Sequence, residues 1–212
     1  MIELSLLQKI VISIIPVLFA ITVHEVAHGW VANKLGDPTA RLLGRLTLNP
    51  IKHIDPIGTI LVPGILLLVG GFIFGWAKPV PITWQNLKNK RRDVALVAAA
   101  GPFVNLLMAI FWAILAKIAY GLNPQPINYA FALLTMSQVG VVVNIILMVL
   151  NLIPIPPLDG SRVVSSFLPG KLSYQYDRIE PYGFIILIAL LATGLLSTIM
   201  NPIVSALVNL LL

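Results

Sequence analysis

Residues 11–30 read VISIIPVLFAITVHEVAHGW, an apolar run interrupted by three ionisable side chains, His24, Glu25 and His28. A helix needs about 20 apolar residues to cross the hydrocarbon core of a bilayer, and this run is long enough. An ionisable group inside lipid costs about 2.5–3.5 kcal/mol, and such residues usually mark a functional site. The stretch therefore predicts a membrane-spanning helix that carries chemistry.

The composition of the whole chain excludes a soluble protein. Of its 212 residues, 58% are hydrophobic and 10% are charged, and the mean hydropathy is +0.94. An ordinary soluble domain has about 25% charged residues. The chain contains no cysteine, which excludes disulfides, thiolate metal sites and cysteine nucleophiles. We expect an integral membrane protein whose solvent is mostly the lipid bilayer.

Long apolar segments lie at residues 4–34, 57–77, 94–121, 129–153 and 181–199. Every backbone polar group in lipid needs a partner within its own segment, so these spans are predicted to be helices. The predicted fold is an all-α polytopic membrane protein, a bundle of about four to five transmembrane helices in one domain, residues 1–212. The apolar tail after Pro202 is too short to cross alone.

The segment at residues 57–77 is predicted to enter the membrane and return, since its glycines and proline supply bends. A full crossing is the alternative. Two flanking stretches, within residues 39–50 and 75–83, are predicted either as strands of a small membrane-embedded β-sheet or as loops. In the second stretch, Pro79 and Pro81 exclude a helix and favour an edge strand or a polyproline conformation.

The pattern His24-Glu25-x-x-His28 is typical of a zinc site. Residues four apart share one face of a helix, so both imidazoles can reach one ion at about 2.0–2.1 Å. Glu25 is close enough to take a proton from a metal-activated water without being a ligand. The pattern predicts hydrolytic chemistry at a carbonyl group, with Zn²⁺ as the cofactor.

Catalytic zinc usually has three protein ligands and a water, so a third ligand must come from elsewhere. Asp159 is the best candidate, because three prolines at residues 154–157 break the preceding helix and can turn this residue toward the bundle. Asp159 could instead cap the helix that follows, and the two roles are compatible. The remaining histidine, His53, is predicted to be a solvated or interfacial loop residue.

Three elements occur in order: His24-Glu25-x-x-His28, Ala100-Gly101-Pro102-x-x-Asn105 and Asn151-x-x-Pro154-x-x-x-Leu158-Asp159-Gly160. Together they resemble the site-2 protease family of intramembrane zinc metalloproteases, in a short, core-only form without PDZ or CBS domains. The zinc ligands that the resemblance implies are His24, His28 and Asp159.

The same resemblance implies that Glu25 is the general base and that Asn151 polarises the scissile carbonyl. A buried asparagine more often bonds a neighbouring helix, and Asn144 competes for the carbonyl-polarising role. The implied substrate is a single-pass transmembrane protein. Two alternatives are a divalent-metal transporter and an inactive zinc-binding membrane scaffold. A transporter should show ionisable residues spread along a path through the bilayer.

The net charge of +6 is attributed to orientation in the membrane and not to nucleic acid. If residues 57–77 re-enter, 12 of the 14 basic residues share one side, in the loops at 33–56, 78–93 and 154–180. The positive-inside rule then puts the N-terminus outside and the site near the cytoplasmic face, in the plasma (inner) membrane.

Overall fold

The structure, a computed structural model, describes residues 6–61, 77–125 and 128–212. Its α-helices are α1 (Leu6–Leu35), α2 (Thr39–Leu42), α3 (Lys90–Gly121), α4 (Tyr129–Asn151), α5 (Asp159–Phe167), α6 (Gly170–Asp177), α7 (Glu180–Ala192) and α8 (Leu195–Leu211). Pro50–His53 and Trp84–Asn86 form short 3-10 turns, and Pro56–Leu61 forms a π-helical turn.

The prediction of an all-helical membrane protein is confirmed for these residues. Ile10–Leu35 in α1, all of α3 and all of α4 are long and apolar enough to cross a membrane. The pair formed by α7 and α8 meets the same criteria only if both helices are counted as one bent span. The described part therefore contains three or four candidate spans.

The predicted span at residues 181–199 is not one straight helix. α7 and α8 meet at an angle of 78°. Gly194 lies between them in the left-handed conformation, with φ of 74°, which glycine adopts without steric cost. The break therefore falls at Gly194, and α8 continues through Pro202, where the sequence predicted the start of a separate tail.

The main apolar core lies where α3, α4 and α8 meet. Gly140 of α4 permits the close approach of Trp112 of α3, because a Cβ at Gly140 would lie 2.7 Å from Cδ1 of the indole. Small residues bring membrane helices together in this way. The buried members of the core are Ala109, Trp112, Ala113, Val141, Ile145, Met148, Val149, Leu196 and Met200.

The C-terminal end of α1 lies beside the start of α3. The N–H of Lys88 donates to the carbonyl of Leu35 at 3.3 Å. The chain between the two helices therefore leaves and returns at one end of the bundle, as the predicted re-entrant topology requires. Residues 62–76, which make up most of the predicted re-entrant segment, lie outside the described residues.

A small β-sheet was one of the two structures predicted within residues 39–50 and 75–83. This prediction is wrong for the described residues, 39–50 and 77–83, because they contain no strand. The first stretch begins with α2. In the second, Pro79 and Pro81 have no N–H, so the chain cannot present the row of donors that strand pairing needs. The N–H of Lys78 instead donates to the carbonyl of His53 at 2.9 Å.

Asp37 fastens the end of α1 to the chain that precedes α3. Its fully buried carboxylate accepts hydrogen bonds from the Thr83 N–H at 2.8 Å and from the Asn86 amide at 2.9 Å. The N–H of Thr39 donates to it at 3.2 Å, and the Thr39 hydroxyl donates as well. Burial raises the pKa of Asp37, but these hydrogen bonds outweigh burial and hold the pKa below its ordinary value.

We expect Asp37→Asn to lower the free energy of unfolding by about 2–3 kcal/mol at neutral pH, because hydrogen bonds to a charged acceptor are lost. The folded-state pKa lies below the unfolded value of about 3.9, so this stabilisation is present above that pH and is lost as the pH falls through the folded-state pKa. Thermal unfolding in detergent, followed as a function of pH, measures the difference.

The control is Asp177→Asn, since the side chain of Asp177 is exposed at the end of α6 and is not part of the hydrogen-bond group around Asp37. The free energies of unfolding of the two variants should differ at neutral pH and become similar in acid. A stability loss in Asp37→Asn that is no larger than in the control would contradict the assigned role of Asp37.

Candidate metal centre

Three ligand atoms from α1 and α5 lie close together. Nε2 of His24 lies 3.0 Å from Nε2 of His28. Oδ2 of Asp159 lies 3.2 Å from the first nitrogen and 3.3 Å from the second. Both histidines are buried and Asp159 is half-buried. The structure thus brings together the three residues that the sequence analysis suggested as ligands.

The spacing of these three atoms fits a zinc ion. Bonds of about 2.0–2.1 Å at tetrahedral angles separate neighbouring ligand atoms by about 3.4 Å. The observed separations are 3.0, 3.2 and 3.3 Å. Oδ2 of Asp159 is also buried without a hydrogen-bond partner, which is costly for a carboxylate oxygen. A cation among the three atoms would satisfy it.

The backbone of α3 determines which nitrogen of His28 carries the proton. Nδ1 of His28 lies 2.7 Å from the carbonyl oxygen of Val97. A carbonyl oxygen can only accept, so Nδ1 must be the donor. In the neutral imidazole Nε2 then presents a lone pair toward His24 and Asp159.

Two buried asparagines determine the tautomer of His24. The amide of Asn144 donates to the carbonyl of Gly140 at 2.8 Å, which leaves its oxygen to accept from Asn105, also at 2.8 Å. Asn105 must therefore turn its own oxygen toward Nδ1 of His24, 2.5 Å away. Nδ1 donates there, and Nε2 of His24 is left with a lone pair.

Two imidazole lone pairs and a carboxylate oxygen therefore face one point. These groups repel one another unless a cation lies between them. Metal-binding histidines usually donate their other N–H to a fixed acceptor, which sets the ring orientation. Both histidines do so here. The donor set, its spacing and its supporting hydrogen bonds all fit Zn²⁺.

Gly101 of α3 provides the space that the two imidazoles occupy. A Cβ at this position would lie 2.5 Å from Cε1 of His24 and 2.6 Å from its Nε2, and would also collide with His28. Asn105 follows one helical turn later and bonds His24. The element Ala100-Gly101-Pro102-x-x-Asn105 thus has a physical explanation, because one residue admits the histidines and another orients one of them.

We expect Gly101→Ala to weaken zinc binding by more than about tenfold, because the added methyl group must displace both imidazoles. Mutation of the groups that support metal ligands already lowers metal affinity by about 10- to 100-fold. Gly121→Ala is the matched control on the same helix, because a Cβ there meets nothing within 4 Å. Competition with a chelator of known affinity measures the difference. Equal zinc affinity in the two variants would contradict the placement of the imidazoles.

Asp159 reaches the site as the first residue of α5 and does not cap that helix. The N-cap position is taken by Leu158, and no side chain caps the helix. The alternative interpretation of Asp159 as an N-cap is therefore wrong. Gly160 allows α5 to pack against the turn after α4, because a Cβ there would lie 2.8 Å from the carbonyl oxygen of Ile153 and closer still to that of Leu152.

Glu25 and Asn151 lie outside the ligand group. Glu25 is half-buried, and its Oε2 accepts a hydrogen bond from the N–H of Val80 at 2.8 Å. Asn151 ends α4, and its amide donates to the carbonyl of Leu147 at 3.0 Å. Asn144, the competing candidate, is fully buried in the hydrogen-bond chain to His24. The role of Asn151 stays a prediction.

His53, predicted to be a solvated or interfacial loop residue, is not solvated. It is 2% exposed, and its Nε2 donates to the carbonyl of Thr47 at 2.9 Å. The loop that contains it folds back onto the bundle, which buries the imidazole. The group of His24, His28 and Asp159 does not include it.

The sequence analysis missed the supporting groups of the site. Neither the carbonyl of Val97 nor the hydrogen bond between Asn105 and His24 was foreseen. Asn105 did carry a signal, because it is an amide inside a span and lies one turn after a glycine in the second quoted element. The Val97 carbonyl carried none, since any residue would supply the same group.

The bundle has membrane-length helices and brings two buried histidines and a half-buried aspartate together, beside the glutamate of the HExxH pattern. This arrangement fits a zinc hydrolase of the membrane. The model of Peptidase family M50 matches residues 12–139 and 127–193. The chain belongs to this family, the site-2 proteases, and is a zinc metalloprotease.

Curated relatives agree with this assignment. The chain is 40% identical over 205 residues to the Bacillus subtilis (strain 168) protein named "Putative zinc metalloprotease YwhC", covering 96% of this chain and 89% of that protein. It is 29% identical over 181 residues to the Mycolicibacterium smegmatis protein named "Putative zinc metalloprotease Rip2", covering 85% and 66% of the two chains. No solved structure matches the chain. The family does not favour a metal transporter or an inactive scaffold.

Proposed function

We propose that this protein hydrolyses a peptide bond in or near the transmembrane segment of a membrane-protein substrate. The observation that carries the proposal is the meeting of His24, His28 and Asp159 within 4.8 Å of one another, with His24 and His28 on a helix long enough to span the membrane. Both histidines and Glu25 belong to α1, so two of the three ligands and the base share one helix.

In this proposal His24, His28 and Asp159 would hold the zinc. The metal, when bound, would lower the pKa of a water toward 7. Glu25 takes a proton from the attacking water while the water oxygen forms a bond to the scissile carbonyl carbon. When the C–N bond breaks, Glu25 returns that proton to the leaving amine, so the proton count balances.

Asn151 keeps the role of polarising the scissile carbonyl in this proposal. Its amide donates to the carbonyl of Leu147, so it would have to turn from that partner toward the substrate. The half-buried position of Asn151 at the end of α4 permits such a turn. The chemistry of an amide donor near a developing oxyanion supports the assignment.

The depth of the site determines how a substrate must approach. His28 lies seven residues before the end of α1 at Leu35, which places it about 10 Å along the helix axis at 1.5 Å per residue. The carbonyls of a helical substrate are held in internal hydrogen bonds, so the substrate must unwind to be attacked. A single-pass transmembrane protein with helix-breaking residues near one face of the bilayer suits this requirement.

We further propose that residues 1–212 act as one domain in the plasma (inner) membrane, with the site near the cytoplasmic face. The C-terminal end of α1 lies beside the start of α3. This supports the placement of the basic loops at 33–56 and 78–93 on the same side of the membrane. Accessible labels placed near Asn86 and near Asn123 should be modified from opposite sides of the membrane. Modification of both from one side would contradict this orientation.

The function is tested with zinc-loaded protein reconstituted into liposomes that contain a labelled single-span peptide. We expect cleavage within the apolar part of the peptide, loss of cleavage on zinc chelation, and recovery when zinc is restored. Zinc flux across the liposome membrane is measured in the same preparation. Flux without cleavage would contradict the protease proposal and support a transporter.

A further inference from the structure

Residues 77–83, here called the strap, run beside the turn of α1 that carries Glu25. The N–H of Val80 donates to Oε2 of Glu25 at 2.8 Å. The residues on either side of Val80 are Pro79 and Pro81, which have no N–H to donate. This part of the strap therefore offers one backbone donor, and that donor is directed at Glu25.

The side chain of Val80 provides a second anchor on α1. Val80 is 5% exposed, and a Cβ at Gly29 would lie 2.7 Å from its Cγ1. Gly29 and Glu25 are four residues apart, so they share one face of the helix. Val80 therefore rests on that face through its side chain while its N–H holds the carboxylate.

Both ends of the strap are fastened to other parts of the fold. At its start, the guanidinium of Arg45 donates from Nη2 to the carbonyl of Lys78 at 3.0 Å and to that of Pro79 at 3.3 Å. The N–H of Lys78 donates to the His53 carbonyl. At its end, the N–H of Thr83 donates to the Asp37 carboxylate at 2.8 Å. The middle of the strap is thus held in place against Glu25.

We propose that the strap is a positioning device for the general base, with Val80 and Arg45 as its positioning residues. The proposal rests on the proposed function. A glutamate on a helix surface has several accessible rotamers. With one carboxylate oxygen held by the Val80 N–H, the other is directed to a constant place, where it can receive the proton. Arg45 keeps the Val80 N–H in register by holding the two carbonyls that precede it.

The direct test removes the hydrogen bond between the Val80 N–H and the Glu25 carboxylate. Val80→Pro deletes the N–H but suits an extended Pro79–Pro81 run, and we expect kcat to fall roughly 10- to 100-fold, the cost of displacing a catalytic group by about 1 Å. KM and zinc content should stay within about twofold, because the strap contacts neither the ligands nor the scissile bond in this account. Ile82→Pro is the matched control, since it deletes an N–H of the strap for which no hydrogen bond is found among the described residues, at a side chain that is only partly buried.

A second pair of variants covers the case in which Val80→Pro fails to fold. Arg45→Gln should lower kcat in the same direction, and Arg45→Lys, which keeps a cationic donor, should recover part of the loss. A kcat near wild type in Val80→Pro, or the same loss in Arg45→Lys as in Arg45→Gln, would overturn the proposal. Wild-type protein that cleaves no membrane peptide would instead overturn the proposed function, so the two failures can be told apart.

Discussion

Glu25→Gln is expected to reduce kcat by about 10²- to 10⁴-fold, because the variant keeps the size of the side chain but loses the group that accepts the proton. Zinc content should be equal to that of the wild type, since Glu25 is not in the ligand group. The measurement is single-turnover cleavage of a labelled transmembrane peptide by zinc-loaded protein, with the metal quantified in the same sample.

Glu180→Gln is the matched control for this variant. Glu180 pairs with Arg162 at 2.7 Å in a partly exposed position and is not in the ligand group, and exposed ion pairs contribute little to stability. The control should cleave at close to the wild-type rate. Full activity in Glu25→Gln would remove the general-base role, whatever its metal content.

Asp159→Asn is expected to lower zinc affinity by more than about 100-fold. The change removes the one negatively charged ligand, and even loss of a supporting hydrogen bond typically costs 10- to 100-fold. Activity should fall with zinc occupancy and recover in part at high zinc concentration. The measurements are zinc stoichiometry after purification and cleavage as a function of added zinc.

The control is Asp177→Asn, which makes the same chemical change on α6 at an exposed position. It should retain one zinc per chain. Undiminished zinc binding in Asp159→Asn would mean that the carboxylate is not a ligand and that its approach to the two imidazoles has another cause.

Sequence alone identified the histidine pair because that geometry is local. Four residues of α-helix place His24 and His28 on one face whatever surrounds them. Asp159 could be predicted for a related reason, because the clustered prolines prevent α4 from continuing and an acidic residue follows them. The two alternatives considered for it could be separated only by the path of the chain, which makes Leu158 the N-cap.

The supporting groups could not be predicted in the same way. The hydrogen bonds of His24 to Asn105 and of His28 to Val97 join residues 81 and 69 positions apart. They exist only because α1 and α3 pack in one particular register, which depends on the whole bundle. A sequence pattern gives the period of a helix but not the rotation of one helix against another.

The errors in the fold have similar causes. The Pro-rich stretch at residues 77–83 reads as an edge strand. Three of its N–H groups donate instead to a carboxylate, a carbonyl and a second carboxylate, and not to a neighbouring strand. At the C-terminal end, the sequence placed the start of a separate apolar tail after Pro202. The break falls at Gly194 instead, because its left-handed φ of 74° ends the preceding helix, while α8 continues through Pro202.

X-ray absorption at the zinc edge of the purified protein tests the central claim most directly. We expect one zinc per chain, with a first shell that contains two imidazole nitrogens and carboxylate or water oxygens at about 2.0–2.2 Å. Asp159→Asn should alter this shell, while Glu25→Gln should leave the two imidazoles in place. A zinc shell without imidazole nitrogens, or one that is identical in the wild type and in Asp159→Asn, would contradict it.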